Sequence, residues 1–159
     1  MQYDLNSPDV LGALSKGDIQ KANELLQSTY WIQGRVVHGN HFGRTFGFPT
    51  ANLELTKDKP FLLANGVYTV KVAVANLLYD GMANAGVRPT ISGRTMTVEV
   101  NLFDFSGDLY GQILQVYFFD RLRDERKFDS LELLVQQIQS DKREAVCLLS
   151  QRHQSDANS

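Results

Sequence analysis

Residues 66–75 read GVYTVKVAVA. In an extended chain Tyr68, Val70, Val72 and Val74 fall on one side and Val67, Thr69, Lys71 and Ala73 on the other, the two-residue period of a strand. The same alternation returns in YWIQGRVVHG from Tyr30, in TMTVEVNLFDF from Thr95 and in QILQVYFFDRL from Gln112. Asn76, Asp80-Gly81 and Ser106-Gly107-Asp108 supply turn chemistry around these runs. Five or six antiparallel strands on short connections leave exposed edges unless the sheet closes on itself, so a small barrel is the expected architecture.

Helical patterns flank the strands. Ser7 reads as an N-cap, Pro8 as the first helical residue and Asp9 as a favourable first-turn charge. Gly17 interrupts, and Asp18 caps a second short helix carrying Ile19, Ala22, Leu25 and Leu26. This pair is expected to be peripheral to the main domain. After the strands, Asp129 and Glu132 form a capping-box-like pair. Leu131, Leu134, Val135, Ile138, Ala145, Leu148 and Leu149 then repeat at helical spacing as a docking face. The expected division is a helical segment over 1–28, a barrel with its C-terminal helix over 29–150, and a frayed polar tail over 151–159.

Composition narrows the functional classes. The chain has 159 residues and a formal net charge of −2, so one core is expected and there is no global attraction for nucleic acid or an anionic membrane. The single cysteine, Cys147, lies in an apolar helical pattern and reads as a buried structural thiol. No apolar run approaches the ~20 residues needed to cross a bilayer. MQYDLNSPDV also lacks a charged-then-apolar leader pattern. Cytoplasmic residence, with no membrane partner, is the expectation.

Three clusters could carry chemistry. The first is GRTFGFPTAN at 43–52, which matches neither common phosphate-loop fingerprint. Gly39, Gly43 and Gly47 permit close approach of backbone N–H groups to an anion, and Arg44 adds a bidentate phosphate donor. If the stretch enters a strand, Thr50 and Asn52 share one face about 6.5–7 Å apart. They could then hold one hard cation together with phosphates and waters, or simply bond local backbone. His38 and His41 flank the loop without a third ligand and do not make a zinc site.

The second cluster is Thr97-Val98-Glu99-Val100-Asn101. Alternation puts Glu99 between Thr97 and Asn101 on one face, which is either solvated or the floor of a site where Glu99 acts as a general base. The third is LRDERKF at 122–128, a solvated connector or a source of guanidinium groups for phosphate and of Phe128 for stacking on a planar ring.

Taken together, these segments resemble riboflavin kinase, in particular the kinase module of the bacterial bifunctional riboflavin kinase/FAD synthetase. The matching pieces are GRVVHG, GFPTAN, NGVYTV, AGVRPT, TVEVNLFDF, LYGQ, LRDERKF and DSLELL, in family order from about Tyr30 to Ala145. The resemblance implies a six-stranded antiparallel Greek-key β-barrel with a C-terminal helix. It also implies transfer of the ATP γ-phosphoryl group to the ribityl 5′-hydroxyl of riboflavin, giving FMN. It assigns Glu99 as the catalytic carboxylate and Thr50 and Asn52 to the metal, Mg²⁺ with Mn²⁺ or Zn²⁺ as alternatives. Gly39, Gly43, Arg44, Leu102, Asp104 and Tyr110 fall near the nucleotide, and Arg123, Arg126 and Phe128 on the flap that contacts the flavin.

Two departures qualify the match. The family often has histidine where this chain has Asn101. The stretch Asn6-Ser7-Pro8-Asp9-Val10-Leu11 lacks the arginine of the motif that bifunctional members carry there, and the H-x-G-H nucleotidyltransferase signature is absent. FMN adenylation is therefore not expected, although an adenylyltransferase domain would precede this segment if it is part of a bifunctional enzyme. The alternative reading is a non-catalytic flavin- or FMN-binding regulator on the same barrel. An oligonucleotide-binding barrel is disfavoured by the acidic balance and by the lack of a basic, aromatic-interleaved face.

Overall fold

The computed structural model describes residues 5–37, 50–55, 61–90 and 93–157. In chain order they form α1 (Pro8–Ser15), α2 (Ile19–Leu26), β1 (Trp31–Val37), β2 (Thr50–Leu55), β3 (Gly66–Val74), β4 (Leu77–Thr90), β5 (Gly93–Leu102), β6 (Ile113–Arg123) and α3 (Leu131–Ala157). The six strands close into a barrel in the order β1-β2-β5-β4-β3-β6, every neighbouring pair antiparallel. Strands β3, β4 and β5 run as consecutive neighbours and β6 returns beside β3, which is the Greek-key arrangement. Gly39, Gly43 and Arg44 lie outside the described residues, as do His38, His41 and Gly47.

The alternation seen in the sequence sets the inside of the barrel. Tyr68, Val70 and Val72 of β3, Val98 and Val100 of β5, and Val116 and Phe118 of β6 are all fully buried. The Phe118 ring sits among Tyr68, Tyr30 and Phe61, with centroids 5.6, 6.0 and 6.3 Å away. Asp80-Gly81 does not form a turn. It lies inside β4, and the reversal comes earlier at Ala75, which takes a φ of 54°. Gly81 is there because the Asn101 carbonyl of β5 approaches its backbone so closely that no Cβ fits.

The helical pair is not peripheral. Val10, Leu14, Ile19 and Leu26 belong to the same buried cluster as Tyr68 and Phe118. Gly17, at φ +78°, makes the tight reversal between α1 and α2, and Asp18 caps α2 by accepting from the Lys21 N–H. The Ala64 N–H donates to the Leu14 carbonyl at 2.9 Å, and the Asn23 amide donates to the Phe118 carbonyl at 2.8 Å. The helix pair thus plugs the barrel end where the aromatic cluster sits.

Two bulges in β6 break its alternation against β3, one between the pairs Thr69↔Asp120 and Val70↔Phe118, the other between Val67↔Arg123 and Tyr68↔Arg121. Each inserts a residue and re-aims the side chains beyond it. The first turns Asp120 to the outer face beside its partner Thr69, and the second restores the count, so that Arg123 lies on that face beside Val67, where α3 docks. Asp120 accepts from Arg152, Gln20 and Thr69. Arg152 falls in the stretch expected to fray, but α3 continues through it to Ala157. The α3 cap is Ser130, not Asp129: its Oγ accepts from the Leu133 N–H at 3.2 Å. Cys147 is exposed rather than buried, because Ala145 and Leu149 are the residues that turn inward there.

Burial pushes the Asp120 carboxyl upward, but the donors from Arg152, Gln20 and Thr69 outweigh it and hold the group below its ordinary value. A carboxyl depressed in the folded state contributes stability that is complete above its unfolded value of about 4 and is lost as pH falls through the folded value. Asp120→Asn is therefore expected to flatten the acid limb of a stability–pH curve. Arg152→Ala should cost about 2 kcal/mol at neutral pH, the worth of hydrogen bonds to a buried carboxylate. Urea unfolding at a series of pH values checks both, and an unchanged acid limb in the asparagine variant would remove Asp120 from this role.

Candidate active site

β5 lies between β2 and β4, and its register fixes which outward side chains meet. Glu99 stands directly opposite Asn52 on one side and Asn84 on the other, while Asn101 stands between Thr50 and Met82. Directly opposed residues have Cβ atoms about 4.5–5.5 Å apart. Val98, Val100, Ala51, Ala83 and Ala85 take the inward positions and are buried, so Thr50, Asn52, Glu99, Asn101 and Asn84 form one polar patch on the outside of the barrel. Thr50 Oγ1 donates to Asn101 Oδ1 at a long 3.3 Å. The residue standing where the family often has histidine thus orients the Thr50 hydroxyl.

This patch faces neither the barrel interior nor open solvent. Its Thr50, Asn84, Glu99 and Asn101 floor a cleft of about 940 Å³ that is also lined by residues 125–130 and the start of α3. Met82, Val87, Leu134 and Ile138 make one side of the cleft apolar. Glu99 is half-buried at its floor, and Phe128 is half-buried across from it. A flat apolar ring and a polar tail would therefore find complementary surfaces in the same cleft.

The wall is pinned to α3. Arg123 donates to both Asp141 oxygens, at 2.8 and 3.0 Å, and Gln137 adds a third donor to that carboxylate at 2.9 Å. Asp141 is buried, and a buried carboxylate needs this matched set of donors. Two guanidinium groups lie near the Phe128 ring, with the Arg126 carbon 4.8 Å and the Arg123 carbon 5.7 Å from its centroid. The cations therefore hold the ring in place as well as charge the wall. Glu125 lies over Gly86 of β4, where a Cβ would come within 2.6 Å of both carboxylate oxygens. A side chain at 86 would have to displace the Glu125 carboxylate from where it lies.

Of the residues singled out in the sequence, the structure brings Thr50, Glu99, Arg123, Arg126 and Phe128 around one cleft, and Asn52 stands opposite Glu99 on β2 without lining it. Leu102, Asp104 and Tyr110 lie outside it, at and after the end of β5. Leu102 is buried, Asp104 takes a positive φ of 55°, and Tyr110 is exposed. They share a barrel end with the two ends of the 38–49 connection. Val36 exchanges backbone hydrogen bonds with Gly111 and Gln112, and Thr50 pairs with Asn101. Sequence reasoning missed Asn84 and Asp141, and it had Glu125 only as part of the LRDERKF cluster, with no role of its own. Asn84 precedes the AGVRPT segment, and its register opposite Glu99 appears only once β4 is paired. Asp141 is a lone acid on a charged helix, and nothing local marks Arg123 as its partner.

A family model described as "Flavokinase: Riboflavin kinase" matches residues 26–149. The bifunctional riboflavin kinase/FMN adenylyltransferase of Bacillus subtilis is 41% identical over 145 residues, covering 89% of this chain and 46% of that protein. That of Haemophilus influenzae is 45% identical over 138 residues, covering 86% and 44%. The chain thus spans less than half the length of these relatives, and what it shares with them is the kinase half. Among solved structures, a protein from Streptococcus pneumoniae named as a macrolide-efflux protein is 41% identical with a TM-score of 0.81, over 88% of this chain and 46% of that one. Riboflavin kinase from Trypanosoma brucei is 28% identical with a TM-score of 0.54, over 76% and 79%. No helix among the described residues is long and apolar enough to cross a membrane. The closed barrel, the cleft on its outer face and these matches carry one conclusion: the chain belongs to the riboflavin kinase family.

Proposed function

We propose that this chain transfers the γ-phosphoryl group of ATP to the terminal ribityl hydroxyl of riboflavin, giving FMN, in the cytoplasm. The observation that carries the reading is the position of Glu99, flanked by Asn52 and Asn84 on the floor of a cleft whose far wall presents Phe128. A primary alcohol is a poor nucleophile, and a carboxylate within reach accepts its proton as the new bond forms. Phe128 and the apolar side of the cleft would hold the flavin ring, which fixes the direction in which the ribityl chain enters. Donor and acceptor held in line account for most of phosphoryl-transfer catalysis.

Thr50 and Asn52 offer a hydroxyl and an amide oxygen beside a carboxylate, a set of hard oxygen donors that fits Mg²⁺ or Mn²⁺ better than Zn²⁺, which favours nitrogen and sulfur. Such a cation, when bound, neutralises charge on the phosphate oxygens. The barrel end shared by Leu102, Asp104, Tyr110 and the flanking residues Val37 and Thr50 supports placing the nucleotide there, and on this reading Gly39, Gly43 and Arg44 surround its phosphates. No FMN adenylation is proposed for these residues.

The direct test is incubation with riboflavin, ATP and Mg²⁺ followed by chromatography. FMN should accumulate with turnover. Tight flavin binding without FMN would instead support a non-catalytic flavin-binding regulator.

On this reading Asp141 matters through Arg123. Asp141→Asn loses the charge that holds the guanidinium, so the wall bearing Phe128 loosens. Stability should fall by about 2 kcal/mol, and KM for riboflavin should rise roughly tenfold while KM for ATP stays within about twofold. Steady-state kinetics with each substrate varied in turn checks the split; equal shifts in both KM values would count against it.

A further inference from the structure

Asn84 Oδ1 is buried and has no hydrogen-bond partner among the described residues. Amide oxygens closed off from water in this way are uncommon and bear the full cost of desolvation, so each asks for a reason. This one sits in the outward row of β4 between Met82 and Gly86, directly opposite Glu99 on β5 and Val67 on β3. Its side chain lines the cleft. The second torsion of an asparagine side chain is broad and soft, so a small rotation turns the oxygen toward the cleft without leaving the rotamer.

We propose that Asn84 is a specificity-determining residue that reads the polyol character of the acceptor, its amide oxygen accepting a hydrogen bond from an internal hydroxyl of the side chain. The inference rests on the kinase reading and deepens it. Three observations select a hydroxyl chain as the ligand. The unmatched atom is an acceptor, so it calls for a donor. The opposing carboxylate is the group assigned to the terminal hydroxyl, and directly opposed residues lie about 4.5–5.5 Å apart, a spacing that two hydroxyls on one extended polyol can bridge. The nearest neighbours of Asn84 in this row, Val67 opposite it on β3 and Met82 two residues back on its own strand, are apolar. A site that pairs a buried polar atom with a substrate hydroxyl discriminates strongly against an analogue lacking it, because the atom is then left unpaired.

The test compares riboflavin with the flavin analogue whose side chain is a bare hydroxypentyl group, which keeps the terminal hydroxyl and lacks the internal ones. Asn84→Ala and Asn84→Ser are assayed beside the parent, with circular dichroism confirming the fold. In the alanine variant kcat/KM for riboflavin should fall about 30-fold, and that for the hydroxypentyl analogue less than about threefold, so that the parent's preference collapses. The serine variant, which retains a short acceptor, should lie between. Equal losses for both flavins would show Asn84 acting on Glu99 or on packing, and would overturn the proposal; so would no loss for either. If the parent makes no FMN, the kinase reading fails. The same pairs are then compared by quenching of flavin fluorescence on binding, where only riboflavin should weaken. A parent that binds neither flavin ends the proposal as well.

Discussion

Glu99→Gln is expected to lower kcat by at least ~10²-fold while the protein stays folded, the usual loss when a positioned general base is removed. The two side chains have the same shape, and the amide still accepts a hydrogen bond from an alcohol. What it cannot do is take the proton. Glu99 is half-buried on the outer face of β5, outside the apolar interior, and its inward neighbours Val98 and Val100 carry the packing. Melting should therefore shift little. The effect should fall on kcat, with KM for riboflavin nearly unchanged, because on the proposed reading the flavin ring rests on Phe128 and the apolar side of the cleft rather than on Glu99. If Glu99 acted mainly by balancing the charge of a bound cation, the variant would instead need far more Mg²⁺ for half-maximal rate and would recover at high Mg²⁺. A metal titration at saturating ATP separates the two. Turnover within about threefold of the parent at ordinary Mg²⁺ would remove Glu99 from the role of base.

The parts of this protein that could be read from sequence are those set by short-range pattern. Period-two alternation placed Tyr68, Val70 and Val72 inside the barrel, and the turn residues around them announced an antiparallel, edge-free sheet. Glu99 stood out because a carboxylate interrupts an apolar strand. Its surroundings were not legible. Asn84 becomes its neighbour through the pairing of β4 with β5, and alternation alone does not state a register. The β6 bulges hid more. Strict alternation puts Asp120 on the same side as Phe118, and only an extra residue in the ladder turns it outward to Arg152. The second bulge restores the count, so Arg123 faces outward as strict alternation has it, but its partner Asp141 lies 18 residues further along the chain and no local pattern names it. The Asp80-Gly81 turn was misplaced for a related reason. Glycine marks tight reversals and close backbone approach alike, and here the Asn101 carbonyl decided which.

Leu14→Ala is expected to destabilise the whole molecule by about 3 kcal/mol, within the range for deleting a fully buried leucine side chain. The reason lies in where α1 is seated. Leu14 is fully buried and shares one apolar cluster with Tyr68 and Phe118, although the sequence suggested an appendage. Its carbonyl accepts from the Ala64 N–H, so the helix end is tied to the chain entering β3. A cavity there opens onto the aromatic cluster at the barrel mouth, and the loss should be felt by the strands as well as by the helices. For a chain of this size about 3 kcal/mol corresponds to a fall in Tm of roughly 6–12 °C. Trp31, the single tryptophan, reports from β1, while far-UV circular dichroism near the helical minima reports mainly the helices. Both signals should move together and keep one coincident transition, as a single cooperative unit requires. An early helical melt with the Trp31 transition unmoved would mean that α1 and α2 are held on the barrel without being part of its core.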